Sequence, residues 1–396
     1  MPNIWAHIQF GREVLQEQHA VVGKYLQSPD GAWKRAFQLG CQGPDFLFYH
    51  RFLPWQAKTA VNRLGSQMHS VHCGPFLLSL LDAVSVKPFS DPAFGFAYGF
   101  LLHHILDRNL HPFVFSRSGF RKWHHQRFET AMDAVVMHRR ASIDTGRTPV
   151  APEIDTDDRV PGGFTTDFHR LVSEHYPVLA AQIAPEQLNE AVRDMIRAQR
   201  LFFDPRGWKS KLLMGQIAPF SPPRRLPDWD VLNDAHAPWV DPCDRTAILT
   251  ASSDELWEAA LADARTTAGA ALAWLTANRS DAGRSSETAG QPEGSATNGQ
   301  FNDATTAGQV KSSTTAEFLS DSVTDAHVKS TTTAKQPSDS AADGQVSVAV
   351  PSAAAPRENA ARLRTAFAGA LGDVSYETGR ACGTAWITYA DSVVPI

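Results

Sequence analysis

The sequence predicts an all-α fold, a single multi-helix domain, and three observations predict it. Apolar residues recur at helical spacing through most of the chain up to about Arg279. Alternating β-branched runs, the signature of half-buried strands, are scarce. His and carboxylate side chains also recur four residues apart: His103, Asp107 and His111 in the run from Phe100, then His125 and Glu129 beyond Trp123. Residues four apart share a helix face, so each set forms one stripe of metal-type ligands. A polynuclear metal site between helices is the expected consequence.

In chain order, the periodicity predicts helices near 4–26, 66–84, 92–111, 119–140, 165–176, 186–203 and 254–277. The first is amphipathic and opens with His7. The second carries the apolar stretch Pro75 to Val84, and the third is the longest apolar helix and carries the first stripe. Pro112 disfavours helical backbone at the residue before it, so His111 is expected to end that helix. Asp254 and Glu255 start the last one, and alanine propagates it. Prolines and tryptophans between Pro205 and Pro242 suggest an irregular covering loop.

Composition changes sharply near Arg279. To about Pro356 the chain is Ser, Thr, Ala, Gly and Asp, too poor in large apolar groups to offset the entropy of ordering it. Val310 to Ala316 recurs imperfectly as Val328 to Ala334, which suggests a duplicated polar insert. A helical pattern returns over 357–371, followed by Gly372 to Tyr376. The expected organisation is a helical domain over 1–278, a disordered low-complexity insertion over 279–356, and a C-terminal helix and tail over 357–396 that return to the same domain.

The chain has 396 residues, 43% of them hydrophobic, enough for a sizeable core. A net charge of −5 gives no bulk attraction to nucleic acid or to anionic lipid. Locally, Arg108, Arg117, Arg121, Lys122, Arg127, Arg139 and Arg140 crowd the ligand helices and read as a solvated basic face, with recruitment of a phosphate-bearing substrate as the alternative. The aromatics Phe46, Phe48, Tyr49, Phe52 and Trp55 read as core rather than a lipid-docking rim. No apolar segment is long enough to span a bilayer. No signal peptide stands at the start, so a cytoplasmic location is expected. The widely spaced Cys41, Cys73, Cys243 and Cys382 then read as reduced structural thiols.

Zinc suits the ligand stripes, because neutral imidazole and carboxylate oxygen are its usual ligands outside thiolate sites. Asp107, flanked by two histidines on its stripe, can offer one oxygen to each of two ions. His104 and His124 have no ligand partner at four residues, since Arg108 and Phe128 stand there. Crowding favours a shared cause: of 15 histidines, 11 fall at or before His138. Asp45, after Gly43-Pro44, is placed at a turn, either as a ligand or water-orienting group or as a helix N-cap. Of His69 and His72, only one need be a ligand.

The assembled pattern resembles the zinc-dependent phospholipase C family, whose superfamily includes single-strand-specific zinc nucleases. The resemblance is carried by Pro2 to His7, Gly40 to Phe46, Leu64 to His69, Gly99 to Asn109, and His124 to Gln126 with Glu129. It implies His69, His103, Asp45 and Asp107 around one zinc and His111, His125 and Glu129 around a second, with His7 joining Asp107 at a third. It also implies that Asp45 acts as general base while a metal-activated water attacks a phosphodiester bridging the zincs. Two departures accompany it. Secreted relatives present an amino-terminal Trp as a ligand, whereas this chain starts Met1-Pro2-Asn3, so a free Pro2 amine is the candidate substitute. His111 also follows Asp107 at a tighter interval than in those enzymes.

The expected function is zinc-dependent phosphoester hydrolysis of a phosphodiester, foremost a phospholipid. A single-strand nuclease or 3′-nucleotidase is one alternative; it would call for a base-stacking platform and a more basic surface. A non-catalytic zinc-binding protein on the same fold is the other.

Overall fold

A computed structural model describes residues 3–288, 354–390 and 393–394. It is overwhelmingly helical, as the periodicity predicts. The helices are α1 (Ile4–Glu17), α2 (Ala32–Gly40), α3 (Ala60–Met68), α4 (Cys73–Val84), α5 (Pro92–Ser118), α6 (His124–Ala141) and α7 (Ala151–Ile154). They continue as α8 (Thr165–His175), α9 (Pro177–Ala180), α10 (Pro185–Phe202), α11 (Trp208–Leu212), α12 (Ser253–Thr288) and α13 (Ala354–Leu371). The described residues up to 286 and from 354 onward fall in one compact unit.

The central element is α5. Apolar side chains surround it on every side, which is the pattern of a helix buried all round. Helices α1, α2, α4 and α6 pack against it. Its start is fixed by Asp91, whose carboxylate accepts the Ala93 N–H at 2.8 Å, with Pro92 in the first turn where no N–H is needed. Its end differs from expectation. The helix runs through Pro112 to Ser118, because Phe113, Val114, Ser116 and Ser118 are all buried and packing outweighs the lost backbone bond. His111 is therefore inside the helix.

Two other expected helices are divided. The run over 4–26 breaks after Glu17, where the Gln18 carbonyl accepts the amides of Val21, Val22 and Gly23 and folds the chain back. The run over 66–84 is two helices, α3 and α4, separated by His72 in left-handed backbone at φ 52°. The covering segment after Pro205 is irregular except for α11 and a single turn at Ala218–Phe220, and it leads into a short antiparallel pair, β1 (Trp239–Asp241) and β2 (Asp244–Leu249).

The last long helix before the insertion buries Trp257, Ala260, Leu261, Ala264, Ala268, Ala271, Leu272 and Leu275, a stripe at helical spacing. It continues past Arg279, the expected start of the insertion, to Thr288. Most of the expected disordered stretch, like Pro2, lies outside the described residues. Helix α13 packs back, with Phe367 stacked on Trp274 at 5.7 Å. Beyond it Val374 bridges Ala381, so residues 373–382 form a small hairpin. Arg108 links these parts: it binds Asp263 on α12 through two nitrogens and donates to the Leu371 carbonyl at the end of α13. Among the described residues no helix is long and apolar enough to cross a membrane.

Candidate metal centre

Five elements bring the eight candidate residues together. His7 comes from α1, Asp45 from the 3-10 turn Gly43–Tyr49, His69 from the end of α3, His103, Asp107 and His111 from α5, and His125 and Glu129 from α6. Three groups have donor atoms within 4.8 Å of one another: His7, His103 and Asp107; Asp45, His69 and His103; and His111, His125 and Glu129. His103 belongs to two of them. Asp107 joins the third, with His103 Nε2 at 3.0 Å, His7 Nε2 at 3.3 Å and His111 Nδ1 at 3.8 Å from its carboxylate. Asp45 Oδ1 lies 3.1 Å from His69 Nε2, and Glu129 Oε1 lies 2.5 Å from His125 Nε2.

Local sequence explains how the groups are held. At Gly43, backbone φ is +48° and a Cβ would lie 2.1 Å from the His103 ring, so only glycine lets the Asp45 turn approach α5 this closely. Asn62 clamps the same turn, its amide donating to the carbonyls of Leu47, Phe48 and His50. At the other end of the site, buried Asp133, one turn after Glu129, accepts the Ala6 amide at 2.6 Å and so fixes the start of α1 beside His7. Burial pushes the Asp133 carboxyl up to about 8.

The ring tautomers are dictated by backbone carbonyls, which can only accept. His69 Nδ1 donates to the Gly65 carbonyl at 2.7 Å, His103 Nδ1 to Cys41 at 3.0 Å, and His111 Nδ1 to Tyr376 at 2.8 Å. In its neutral form each ring therefore carries its lone pair on Nε2, the arrangement that orients metal-binding imidazoles. Burial lowers the His7 and His111 pKa values, favouring the neutral ring. Burial opposes ionisation of Asp107, but the His103 and His111 rings beside it, with the contacts from His103 and His7, outweigh it and hold the carboxyl well below its usual range. Glu129 is likewise held at about 2, burial being overcome by His125. For His69 the Asp45 partner overcomes burial and raises the pKa.

Whether these residues fit zinc is decided by what they leave unpaired. Both ring nitrogens of His7, Nε2 of His103 and both carboxylate oxygens of Asp107 are fully buried, and their only close polar contacts are with one another and with His111. A buried cluster of donors and acceptors with no other partner is costly to desolvate. A cation between them would remove that cost, and the nitrogen and oxygen donor set is one zinc accepts. The residues fit.

Residues 6–179 match the family model of zinc dependent phospholipase C. Over that stretch the chain is similar to the zinc-dependent phospholipase C family. All eight candidate residues lie inside the match. No curated protein and no solved structure matches the chain.

Outside the matched stretch, the 373–382 hairpin forms one wall of the centre, a role that sequence reasoning missed. The Tyr376 carbonyl holds His111, its amide donates to the His69 carbonyl at 2.9 Å, and its ring meets His69, His103 and His104 at 5.2, 5.7 and 4.4 Å. His104 itself donates to the Val374 carbonyl at 2.7 Å, so this histidine, expected to be no ligand, ties α5 to the hairpin. Nothing in Val374-Ser375-Tyr376 signals such a role, because it is performed mainly by backbone. Among the aromatics expected in the core, Phe46 is buried but Phe48 and Trp55 are exposed.

Proposed function

We propose that the domain is a zinc-dependent phosphodiesterase acting on phospholipids, with His7, Asp45, His69, His103, Asp107, His111, His125 and Glu129 holding two or three zinc ions. The observation that carries this reading is the buried set of His7, His103 and Asp107 atoms, closed on itself and adjoining two further His-carboxylate groups. Zinc bound there supplies charge stabilisation at the phosphoryl oxygens and lowers the pKa of water. Asp107, fully buried and ionised, keeps the imidazoles around it turned inward. In this reading Asp45, buried beside His69, would serve as general base toward water, as the family resemblance implies.

Lipid is favoured by the surface beside the centre. Phe48 stacks on His69 at 5.2 Å, and an aromatic chain links Trp123 to Phe220, Phe202 and Phe52 with ring separations of 5.0, 5.1 and 6.2 Å. From the three segments so joined, Trp55, Leu212 and Met214 project with 77%, 70% and 85% of their surface exposed. Of these, Leu212 and Met214 offer no π-face to a base but suit acyl chains, whereas the exposed ring of Trp55 serves either ligand.

Zinc analysis of purified protein, then a panel of phosphatidylcholine vesicles, single-stranded DNA and a chromogenic phosphodiester, tests the reading. Lipid turnover abolished by chelation is the expected result. Preferred cleavage of DNA would move the assignment to a nuclease, and a metal-loaded protein inert on all three would leave a non-catalytic zinc protein.

A further inference from the structure

The hairpin that walls the centre closes at its base on a second cluster of metal-type donors. Cys73 is the first residue of α4, while Asp373 and Cys382 face each other across the hairpin, next to the Val374–Ala381 bridge and joined by the Cys382 amide donating to the Asp373 carbonyl at 2.9 Å. The two sulfurs and an Asp373 oxygen all lie within 4.8 Å of one another. The approach of the two elements is tight, since a Cβ at Gly74 would lie 1.8 Å from the Gly372 carbonyl oxygen. Asp373 Oδ1 also accepts the Gly74 amide at 3.1 Å, which orients the carboxylate at the mouth of the thiol pair.

We propose that Cys73, Asp373 and Cys382 form a separate zinc-binding site that clasps the hairpin to α4. The Cys73 and Cys382 sulfurs are 3.5 Å apart. Two thiolates at about 2.3 Å from one tetrahedral zinc stand roughly 3.8 Å apart, so little movement is needed. A disulfide would require closure to about 2.05 Å and would leave Asp373 without a part. Burial of Cys73 and exposure of Asp373 give the pattern of a site anchored on its protein side, with a fourth position open to water. Binding displaces one proton from each thiol and involves no redox change. The clasp bears on the polynuclear centre only by holding the hairpin that carries Tyr376, and it does not rest on the phosphodiesterase reading.

Cobalt(II) isolates this site, because the eight residues of the other centre offer no sulfur. Full-length protein kept reduced and loaded with cobalt(II) alone is expected to show a sulfur-to-cobalt charge-transfer band in the near ultraviolet. Cys382→Ser should abolish the band and lower the zinc content by one equivalent, whereas Cys243→Ser should change neither. Asp373→Asn keeps the acceptor for Gly74 and should weaken cobalt binding more than about tenfold while retaining a sulfur band at saturation. A folded, reduced wild type with no band, a band that survives in Cys382→Ser, or formation of a Cys73–Cys382 disulfide in the presence of zinc in excess over all the proposed sites would each overturn the proposal.

Discussion

His103 is the side chain on which the two buried groups of donors meet, so removing it reaches further than removing a ligand of the third group alone. His103→Ala should lose zinc from both groups, and His125→Ala only from the third; metal analysis of the two purified variants would show the larger deficit in His103→Ala. Equal deficits would mean that His103 does not join the groups. Asp133 affords a test through pH. Its carboxyl sits at about 8 in the fold against an ordinary 3.8, so folding favours the protonated form. That contribution is fully present below 3.8 and is lost as pH rises through about 8, so stability should fall with pH across this window. Asp133→Asn, which keeps an acceptor for Ala6 but cannot ionise, should remove this part of the slope. Thermal melts of both proteins at a series of pH values would detect it, and parallel curves would refute it.

Among the elements, those carrying stripes were legible from sequence and those built by backbone were not. His103, Asp107 and His111 share a face whatever surrounds them, because four-residue spacing alone aligns them. The end of α5 was misjudged because Pro112 signals a stop locally, and only the burial of Phe113 and Val114 overrides it. The 373–382 hairpin was invisible as part of the centre, since its contributions are mostly the carbonyls and amides that every residue has. The 3-10 turn carrying Asp45 lies between these extremes: Gly43-Pro44 marks a turn, but the approach to His103 that demands glycine exists only in three dimensions. Gly43→Ala should cost roughly 1–2 kcal/mol from left-handed strain alone, and its Cβ would displace the His103 ring. Reduced zinc content in a variant that still folds is the expected outcome; an unchanged metal complement and melting temperature would show that the turn can withdraw freely.

At the scale of the whole molecule, the centre is assembled from both sides of the insertion. All eight proposed ligands precede it, yet the carbonyl that orients His111 and the ring that covers His69 and His103 follow it, on residues separated from their partners by some of the longest sequence intervals in the fold. Composition sets the polar stretch apart from the helical runs, but it could not show that the segment after it reaches the metal residues. Two deletions distinguish the parts. Replacing residues 289–353 with a Gly-Ser linker should preserve melting temperature and zinc content, because closure entropy grows only logarithmically with loop length and every contact described for the centre is retained. Ending the chain at Thr288 removes α13 and the hairpin together. It exposes Trp274 where Phe367 stacked and leaves His111 without its orienting carbonyl, so zinc affinity should drop on the order of 10–100-fold, the usual cost of losing a group that orients a metal-binding histidine. Zinc titration of the two deletion proteins decides the matter: matched affinities would show that the hairpin does not support the centre.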